Sequence, residues 1–227
     1  MKILSIGKNI QDDYIDIVNI KMSEVSKIEN LEYYDYVLIS GGDGAIRRVL
    51  KSLNEKHTQL PPFILNPIGS FNVIAKLHKV PNYRVILDKL AKNNTINTNT
   101  QECYKLNKEI FLFSAGNMGD LQHIFLSETF RFGILQKGIG KYLLAGLFLL
   151  PVHLIMTPFM LLSSKKFFIF TPANFISKIG SFRGRVEEKF TIDLKNSYNF
   201  IELDGDIVMI EESFLSIAFL KTIKIVK

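Results

Sequence analysis

Cysteine and histidine are scarce in this chain of 227 residues. Its one cysteine, Cys103, excludes an intrachain disulfide. The four histidines lack the spacing of zinc ligands, which argues against a structural zinc site. These features are typical of a protein of the reducing cytoplasm, and that location is expected here.

A secretion signal and a nucleic-acid-binding motif are also missing. The apolar run at the N-terminus is short and Lys8 interrupts it, so we interpret it as a first strand. The net charge of +6 favours an anionic partner without choosing among nucleotide phosphates, acidic lipid and nucleic acid. Because no basic stripe is interleaved with aromatic residues, we predict no nucleic-acid partner.

One glycine-rich turn stands out in the N-terminal part of the chain. A short apolar strand, residues 36–39, stops at Gly41-Gly42-Asp43-Gly44, and apolar residues at helical spacing follow from Ala45 to Asn54. Glycine lets the backbone turn tightly and bring its N–H groups against an anion. The pattern is typical of a phosphate-binding loop, although a plain strand-to-helix turn with Asp43 as a helix cap stays open.

A second polar turn follows the next strand. The apolar residues Phe63–Leu65 lead into a turn that contains Gly69, Ser70 and Asn72, and a helix through residues 73–77 is predicted after it. The carboxyl ends of parallel strands lie at one edge of a sheet. We therefore hypothesise a nucleotide crevice between Gly41–Gly44 and Gly69–Asn72.

The fold predicted for the N-terminal half is an open, mostly parallel α/β sheet with flanking helices. Strands are predicted at 3–6 and 16–22, and helices at 23–34 and 82–92. The connection between the first two strands is too short for an ordinary crossover helix, which leaves antiparallel pairing open. An Asn- and Thr-rich stretch after residue 92 marks a boundary, giving domains 1–98 and 99–227.

The C-terminal half is predicted to be an antiparallel β-sandwich. A hairpin is expected at 103–113. Further strand-like runs lie at 166–170, 182–186, 190–194, 200–203 and 214–226.

Between these runs lies an apolar helical insertion at about 138–163. Its core, Tyr142–Leu162, carries no full charge and meets the length of a membrane span, about 20 residues. Pro151, Pro158 and the basic residues on both flanks argue against spanning. We predict a buried or surface-dipping helical pair, with a transmembrane helix as the alternative.

Five ordered motifs together resemble the diacylglycerol kinase catalytic domain family, which includes bacterial lipid kinases and sphingosine kinases. They are Gly41–Ala45 for GGDGT, Pro67–Ala75 for P-x-GT-x-N-D-F-A, the hairpin end Phe113–Gly116, the segment Gly140–Leu147, and Leu203–Asp206 for the late DGE. NAD kinases share GGDG, but the second and last motifs favour the lipid branch. The resemblance implies a fold of the NAD kinase/diacylglycerol kinase type.

The resemblance also implies a reaction, in which the γ-phosphoryl group of ATP passes to a hydroxyl of diacylglycerol or a related lipid, with Mg²⁺. Asp204 would be the base that deprotonates the lipid hydroxyl, Asp206 would take the role of the family's glutamate, and Asp43 would lie near the phosphates or their magnesium.

The nucleotide would be held from two sides, by Gly41, Gly42, Asp43 and Gly44 and by Gly69, Ser70 and Asn72. The expected partners are a lipid substrate and the anionic inner face of the membrane, to which the protein would bind peripherally.

Several residues depart from the family pattern. Ala45 replaces the threonine of GGDGT, Val73 replaces an aspartate, and the N-terminal NP-x-SG motif is absent. Arg47 and Arg48 follow the first turn, and we interpret them as a solvated helix face, with phosphate or headgroup contacts as the alternative. Ala45, Val73 and Asp206, an aspartate in place of the family's glutamate, keep open an inactive relative that binds lipid or nucleotide. The shared GGDG motif keeps open a soluble NAD kinase.

Overall fold

The computed structural model describes residues 1–69, 72–116, 169–170, 190–195 and 197–227, together with seven positions between 144 and 155. The chain divides into two compact units. The first contains Met1–Cys103 and Leu220–Lys227, and the second contains Tyr104–Phe219. The predicted boundary after residue 98 lies five positions before this division, and the sequence did not predict that the last eight residues return to the first unit.

A parallel sheet forms the centre of the first unit. Its strands lie in the order β2-β1-β3-β4-β12, and each described pair is parallel. The strands are β1 (Lys2–Ile6), β2 (Asp16–Ile20), β3 (Tyr36–Gly41), β4 (Phe63–Pro67) and the last part of β12 (Phe214–Val226). The predicted mostly parallel sheet is confirmed.

The first two strands pair in parallel, so the antiparallel alternative is wrong. The connection between them, residues 7–15, contains no helix. Its own side chains pack into the core in place of a helix. Ile10 and Ile15 are buried, and the Asn19 amide bonds both backbone groups of Ile10 at 2.8–2.9 Å. A polar loop backbone can lie against a sheet only when its hydrogen-bonding groups are satisfied in this way.

Three α-helices flank this sheet: α1 (Asp43–Asn54), α2 (Val73–Leu77) and α3 (Tyr83–Ala91). The helix predicted over 23–34 is instead two 3-10 helices, Met22–Lys27 and Leu31–Tyr33. The apolar residues Val25, Ile28 and Leu31 are three apart, a spacing that matches the 3.0-residue turn of a 3-10 helix better than the 3.6-residue α-helical turn.

The second unit is built from antiparallel strands, as predicted. A four-stranded sheet has the order β11-β10-β7-β8, and β5 pairs with β6 and β9 with β12. Buried side chains from both groups of strands form one apolar cluster, which is the packing that a sandwich requires. The strands are β5 (Thr98–Leu106), β6 (Glu109–Phe111), β7 (Ala115–Gly116), β8 (Ile169–Phe170), β9 (Phe190–Asp193), β10 (Asn199–Leu203) and β11 (Asp206–Ile210).

Two predictions fall largely outside the described residues. The strand predicted at 182–186 lies outside them, and of the apolar insertion at 138–163 only seven positions are described, all helical. Within the described part of the chain, no helix combines the length and hydropathy that crossing a bilayer demands.

Candidate functional site

The first glycine turn lies where β3 ends and α1 begins. Gly42 is the extended residue that precedes the helix, and its carbonyl oxygen accepts bonds from Ala45 and Ile46 at 3.0 and 3.1 Å. Gly44 lies among the first N–H groups of α1, which have no acceptor within a helix. The start of a 12-residue helix therefore points positive dipole and N–H groups at this turn, as an anion site requires.

The second glycine turn packs directly against the first. A Cβ atom built on Gly69 would lie 2.7 Å from the Gly42 Cα atom and 2.7 Å from the Asn72 Oδ1 atom. Ile68 also donates a backbone bond of 3.3 Å to Gly41. Neither turn could approach the other so closely with a side chain at position 69. The structure thus brings together the two turns that the sequence placed at one sheet edge, whereas Ser70 lies outside the described residues.

Asp43 links the two turns. One of its carboxylate oxygens accepts the Val73 N–H at 2.7 Å and the other accepts the Ile74 N–H at 3.0 Å, both at the start of α2. The Asp43 side chain is buried. Its negative charge therefore meets the positive end of a neighbouring helix. Asp43 therefore caps α2, the helix that follows the second glycine turn, and not α1, which begins at Asp43 itself.

Asn72 shapes the second turn through an unusual backbone conformation. Its φ of +49° lies in the left-handed region that asparagine tolerates, and its Nδ2 donates to the Gly69 carbonyl at 2.5 Å. The Asn72 Oδ1 atom is buried beside Gly42 and Gly69. Asn72 therefore contributes to the site by closing the turn around Gly69.

The two arginines after the first turn differ in environment. Arg48 is exposed, as a solvated helix face predicts, but Arg47 is buried one helical turn beyond Asp43. The interpretation of Arg47 as a solvated residue is therefore wrong. A guanidinium with little access to water near a helix start adds positive charge to this end of the unit.

A polar layer that was not predicted from the sequence lies beneath the turns. The Asn66 amide donates to the Ser40 hydroxyl at 3.0 Å and joins the ends of β3 and β4. Gly7, with φ +99°, lies so close to this layer that a Cβ atom would come within 2.8 Å of the Ser40 carbonyl oxygen. A signal was available, because Gly7, Ser40 and Asn66 each stand at the carboxyl end of a predicted strand.

Replacing Gly69 by alanine is expected to lower the affinity for an ATP analogue by about tenfold or more. The new methyl group meets backbone atoms that cannot rotate away, and overpacking of this kind typically costs about 1–3 kcal/mol. Equilibrium titration with a fluorescent ATP analogue measures the change. The matched control is Ile68→Ala, which trims an exposed side chain in the same turn. An equal effect of both variants would contradict the proposed contact.

A second polar cluster lies in the second unit, at the turn between β10 and β11. Asp204 and Gly205 have φ of +52° and +85°, as in a two-residue type I′ hairpin turn. Asp204 is nevertheless only 3% exposed. Its carboxylate accepts the N–H groups of Leu112, Phe113 and Ser114 at 2.7–3.1 Å. This turn therefore holds the chain segment that precedes β7.

Glu202 supports the same turn and was not singled out from the sequence. Its carboxylate accepts the Ser114 hydroxyl at 2.9 and 3.2 Å and the Gly205 N–H in a short hydrogen bond. The sequence contained a signal for this role, a glutamate inside the apolar run 200–203. A charged side chain is rarely buried without partners, so its position predicts hydrogen bonds inside the unit. Asp206, at the start of β11, is more accessible than either buried carboxylate.

Metal-binding capacity is limited within the described residues. No group of three or more His, Cys, Asp or Glu side chains is arranged to hold an ion there. Mg²⁺ is usually bound through one or two carboxylates together with substrate phosphates, so it needs no preformed protein cage. Asp43, predicted as the metal ligand, already accepts two backbone N–H groups.

The family match found by comparison with known proteins lies in the first unit. Residues 17–103, which carry both glycine turns, match the family model described as the diacylglycerol kinase catalytic domain. Over these residues the chain is similar to that family. A curated protein of Streptococcus pneumoniae named "Putative lipid kinase" is 27% identical over 144 residues, which are 59% of this chain and 48% of that protein. The chain therefore spans about half the length of this curated relative.

Solved structures of diacylglycerol kinase relatives share the fold. A structure described as a diacylglycerol kinase from Bacillus anthracis is 13% identical, with a TM-score of 0.55 over 99% of this chain and 96% of its own. A second structure from that organism is 14% identical, with a TM-score of 0.55 over 98% and 96%. The predicted fold class is confirmed. The family match ends at residue 103, so the roles predicted for Asp204 and Asp206 stay predictions.

Proposed function

We propose that this protein transfers the γ-phosphoryl group of ATP to a hydroxyl of diacylglycerol or a related membrane lipid. The observation that carries the proposal is the contact between Gly42 and Gly69, which Asp43 fastens at the carboxyl edge of a parallel sheet. This arrangement lies within the region that matches a kinase catalytic domain family. Nucleotides bind at this edge in open α/β sheets.

The nucleotide phosphates would bind at the start of α1. Gly42 and Gly44 leave the backbone open to close approach, and the helix dipole favours negative charge. The first N–H groups of α2 are engaged by Asp43, so they are not the main phosphate ligands. Mg²⁺ would bind together with ATP and neutralise the charge of its phosphates. Asp43 is the carboxylate that is predicted to lie near this ion.

The reaction itself breaks the bond between the γ-phosphorus and its bridging oxygen and forms a bond to the lipid oxygen, and the hydroxyl proton leaves to a carboxylate. A base must present an oxygen to that hydroxyl. Because Asp204 accepts three backbone N–H groups in a nearly enclosed site, it is better suited to hold the turn. We propose that the more accessible Asp206 receives the proton.

Labelled ATP offered with a panel of lipid alcohols in mixed micelles tests this proposal. We expect a phosphorylated lipid that requires Mg²⁺, and a decrease of about 100-fold in kcat for Asp206→Asn, as for loss of a general base. Asp193→Asn, which neutralises a half-buried carboxylate of β9 in the same unit, is the control. No labelled lipid under any divalent metal would overturn the proposal. Labelled NADP in a parallel reaction that contains NAD in place of lipid would identify an NAD kinase.

Ala45 and Val73 favour a second candidate function, a relative that binds nucleotide or lipid without turnover. Position 45 carries no hydroxyl, and the Val73 side chain is buried where the family has a carboxylate. The two functions separate in one pair of measurements. A binder without turnover would retain the ATP analogue in titration and yet label no lipid.

A further inference from the structure

A buried histidine lies at the end of α2, the short helix that follows the second glycine turn. His78 directly follows the last residue of this helix, and its backbone N–H donates to the Ile74 carbonyl at 3.1 Å. The His78 Nε2 atom lies 2.8 Å from the Gln101 Oε1 atom, and both residues are only 7% exposed. Buried polar side chains are rarely without partners, and this contact satisfies two of them at once.

The surrounding hydrogen bonds decide which atom of this pair carries the proton. The Gln101 side-chain nitrogen donates to the Glu102 carbonyl oxygen at 2.7 Å, so the amide oxygen is the atom that faces the ring. An amide oxygen can only accept a hydrogen bond, and the His78 Nε2 atom is therefore the donor. The contact joins the end of α2 to β5, the strand that contains Gln101.

Hydrogen bonds thus hold α2 at both of its ends. At its start, Asp43 accepts the N–H groups of Val73 and Ile74, and at its end His78 donates to Gln101. A helix of five residues is too short to be stable by itself, so its direction depends on contacts of this kind. One attachment fixes a point of the helix, whereas two attachments fix its axis.

The direction of α2 determines where the second glycine turn lies. Asn72 belongs to both, because its carbonyl oxygen accepts the Lys76 N–H at 3.1 Å and its side chain donates to the Gly69 carbonyl. Gly69 packs so closely on the first turn that an added Cβ atom would lie 2.7 Å from the Gly42 Cα atom. A swing of α2 at its far end would therefore disturb this contact, and displacements of about 1 Å can lower activity by about 100-fold.

We propose that His78 is a positioning residue for the nucleotide, and that its hydrogen bond to Gln101 holds the second glycine turn against the first. The inference rests on the proposed function, whose nucleotide site it extends from the two turns to the far end of α2. The motif that contains the second turn ends at Ala75, so His78 lies outside the residues that carry the family resemblance.

Two amide side chains of different length test this role. His78→Asn is too short to reach Gln101, whereas the amide nitrogen of His78→Gln lies near the position of the ring Nε2 atom. We expect His78→Asn to weaken binding of an ATP analogue by about fivefold and to accelerate hydrogen exchange at the Lys76 amide, and His78→Gln to stay within about twofold of the wild type. The matched control is His57→Asn, because the His57 Nε2 atom also bonds a carbonyl oxygen, that of Ile28 at 3.2 Å, in the same unit.

A double-mutant cycle with Gln101→Ala tests whether the two residues act through one contact. We expect the losses in affinity of Gln101→Ala and His78→Asn not to add in the double variant. Unchanged affinity of His78→Asn, an equal loss for His57→Asn or fully additive losses would overturn the positioning role. A wild type that does not bind the ATP analogue would overturn the nucleotide site itself, while the Lys76 exchange rate still reports whether His78 holds α2, so the two failures are distinguishable.

Discussion

Replacing Asp204 by alanine is expected to lower the melting temperature by roughly 10 °C. The change removes the acceptor of three buried N–H groups, each worth about 1–3 kcal/mol, and 1 kcal/mol shifts the melting temperature of a chain this size by about 2–4 °C. Leu112, Phe113 and Ser114 would lose this acceptor together. Thermal unfolding followed by circular dichroism measures the shift.

The control for this prediction is Asp206→Ala in the same hairpin. Asp206 is more accessible, so its replacement is expected to change the melting temperature by about 1–2 °C. The pair also separates two roles. If Asp204→Ala melts like the wild type but loses turnover, Asp204 is the base that the family resemblance implies, and the structural role described for it is wrong.

Replacing Asp43 by alanine is expected to weaken binding of an ATP analogue by about tenfold or more, with and without Mg²⁺. Two charge-assisted hydrogen bonds to α2 disappear, and such bonds contribute about 1.5–3 kcal/mol each. A helix of five residues cannot hold its own start in place, so the Gly69 turn moves with it. Titration in Mg²⁺ and in EDTA measures both affinities.

The Mg²⁺ dependence decides what Asp43 does. A side chain that positions the turn affects both titrations, whereas a metal ligand affects only the one that contains Mg²⁺. Asn82→Ala is the matched control, because the Asn82 side chain caps α3 through the Arg84 N–H in the same unit. A decrease for Asp43→Ala confined to the Mg²⁺ titration would restore the predicted metal role.

Much of the first unit was predictable because its signals are local. The strands at 36–41 and 63–67 are short apolar runs that stop at glycine or asparagine, and the helix at 43–54 has apolar residues at helical spacing. The meeting of the two glycine turns followed from the rule that parallel strands end at one edge. No side-chain contact was needed for either inference.

The direction of individual side chains could not be predicted. Asp43 was expected to face phosphates, yet it bonds N–H groups thirty residues away, and a sequence motif contains nothing about such a partner. Arg47 was assigned to solvent because charge at the surface is the common case. Strand β11, Asp206–Ile210, was missed because the interpretation of this stretch stopped at the turn Asp204–Asp206 and did not follow the apolar residues after it.

Strand β12 has a consequence for the order of folding. Its residue Ile225 pairs with Phe63, and Val226 packs in the core cluster that contains Ile3, Leu38 and Ile64. Contacts between residues so far apart in sequence slow folding, because the intervening chain must first be constrained. During synthesis, the residues of the glycine turns are translated early. The sheet that supports them is completed only after the whole second unit has been translated, because its last strand is the end of β12.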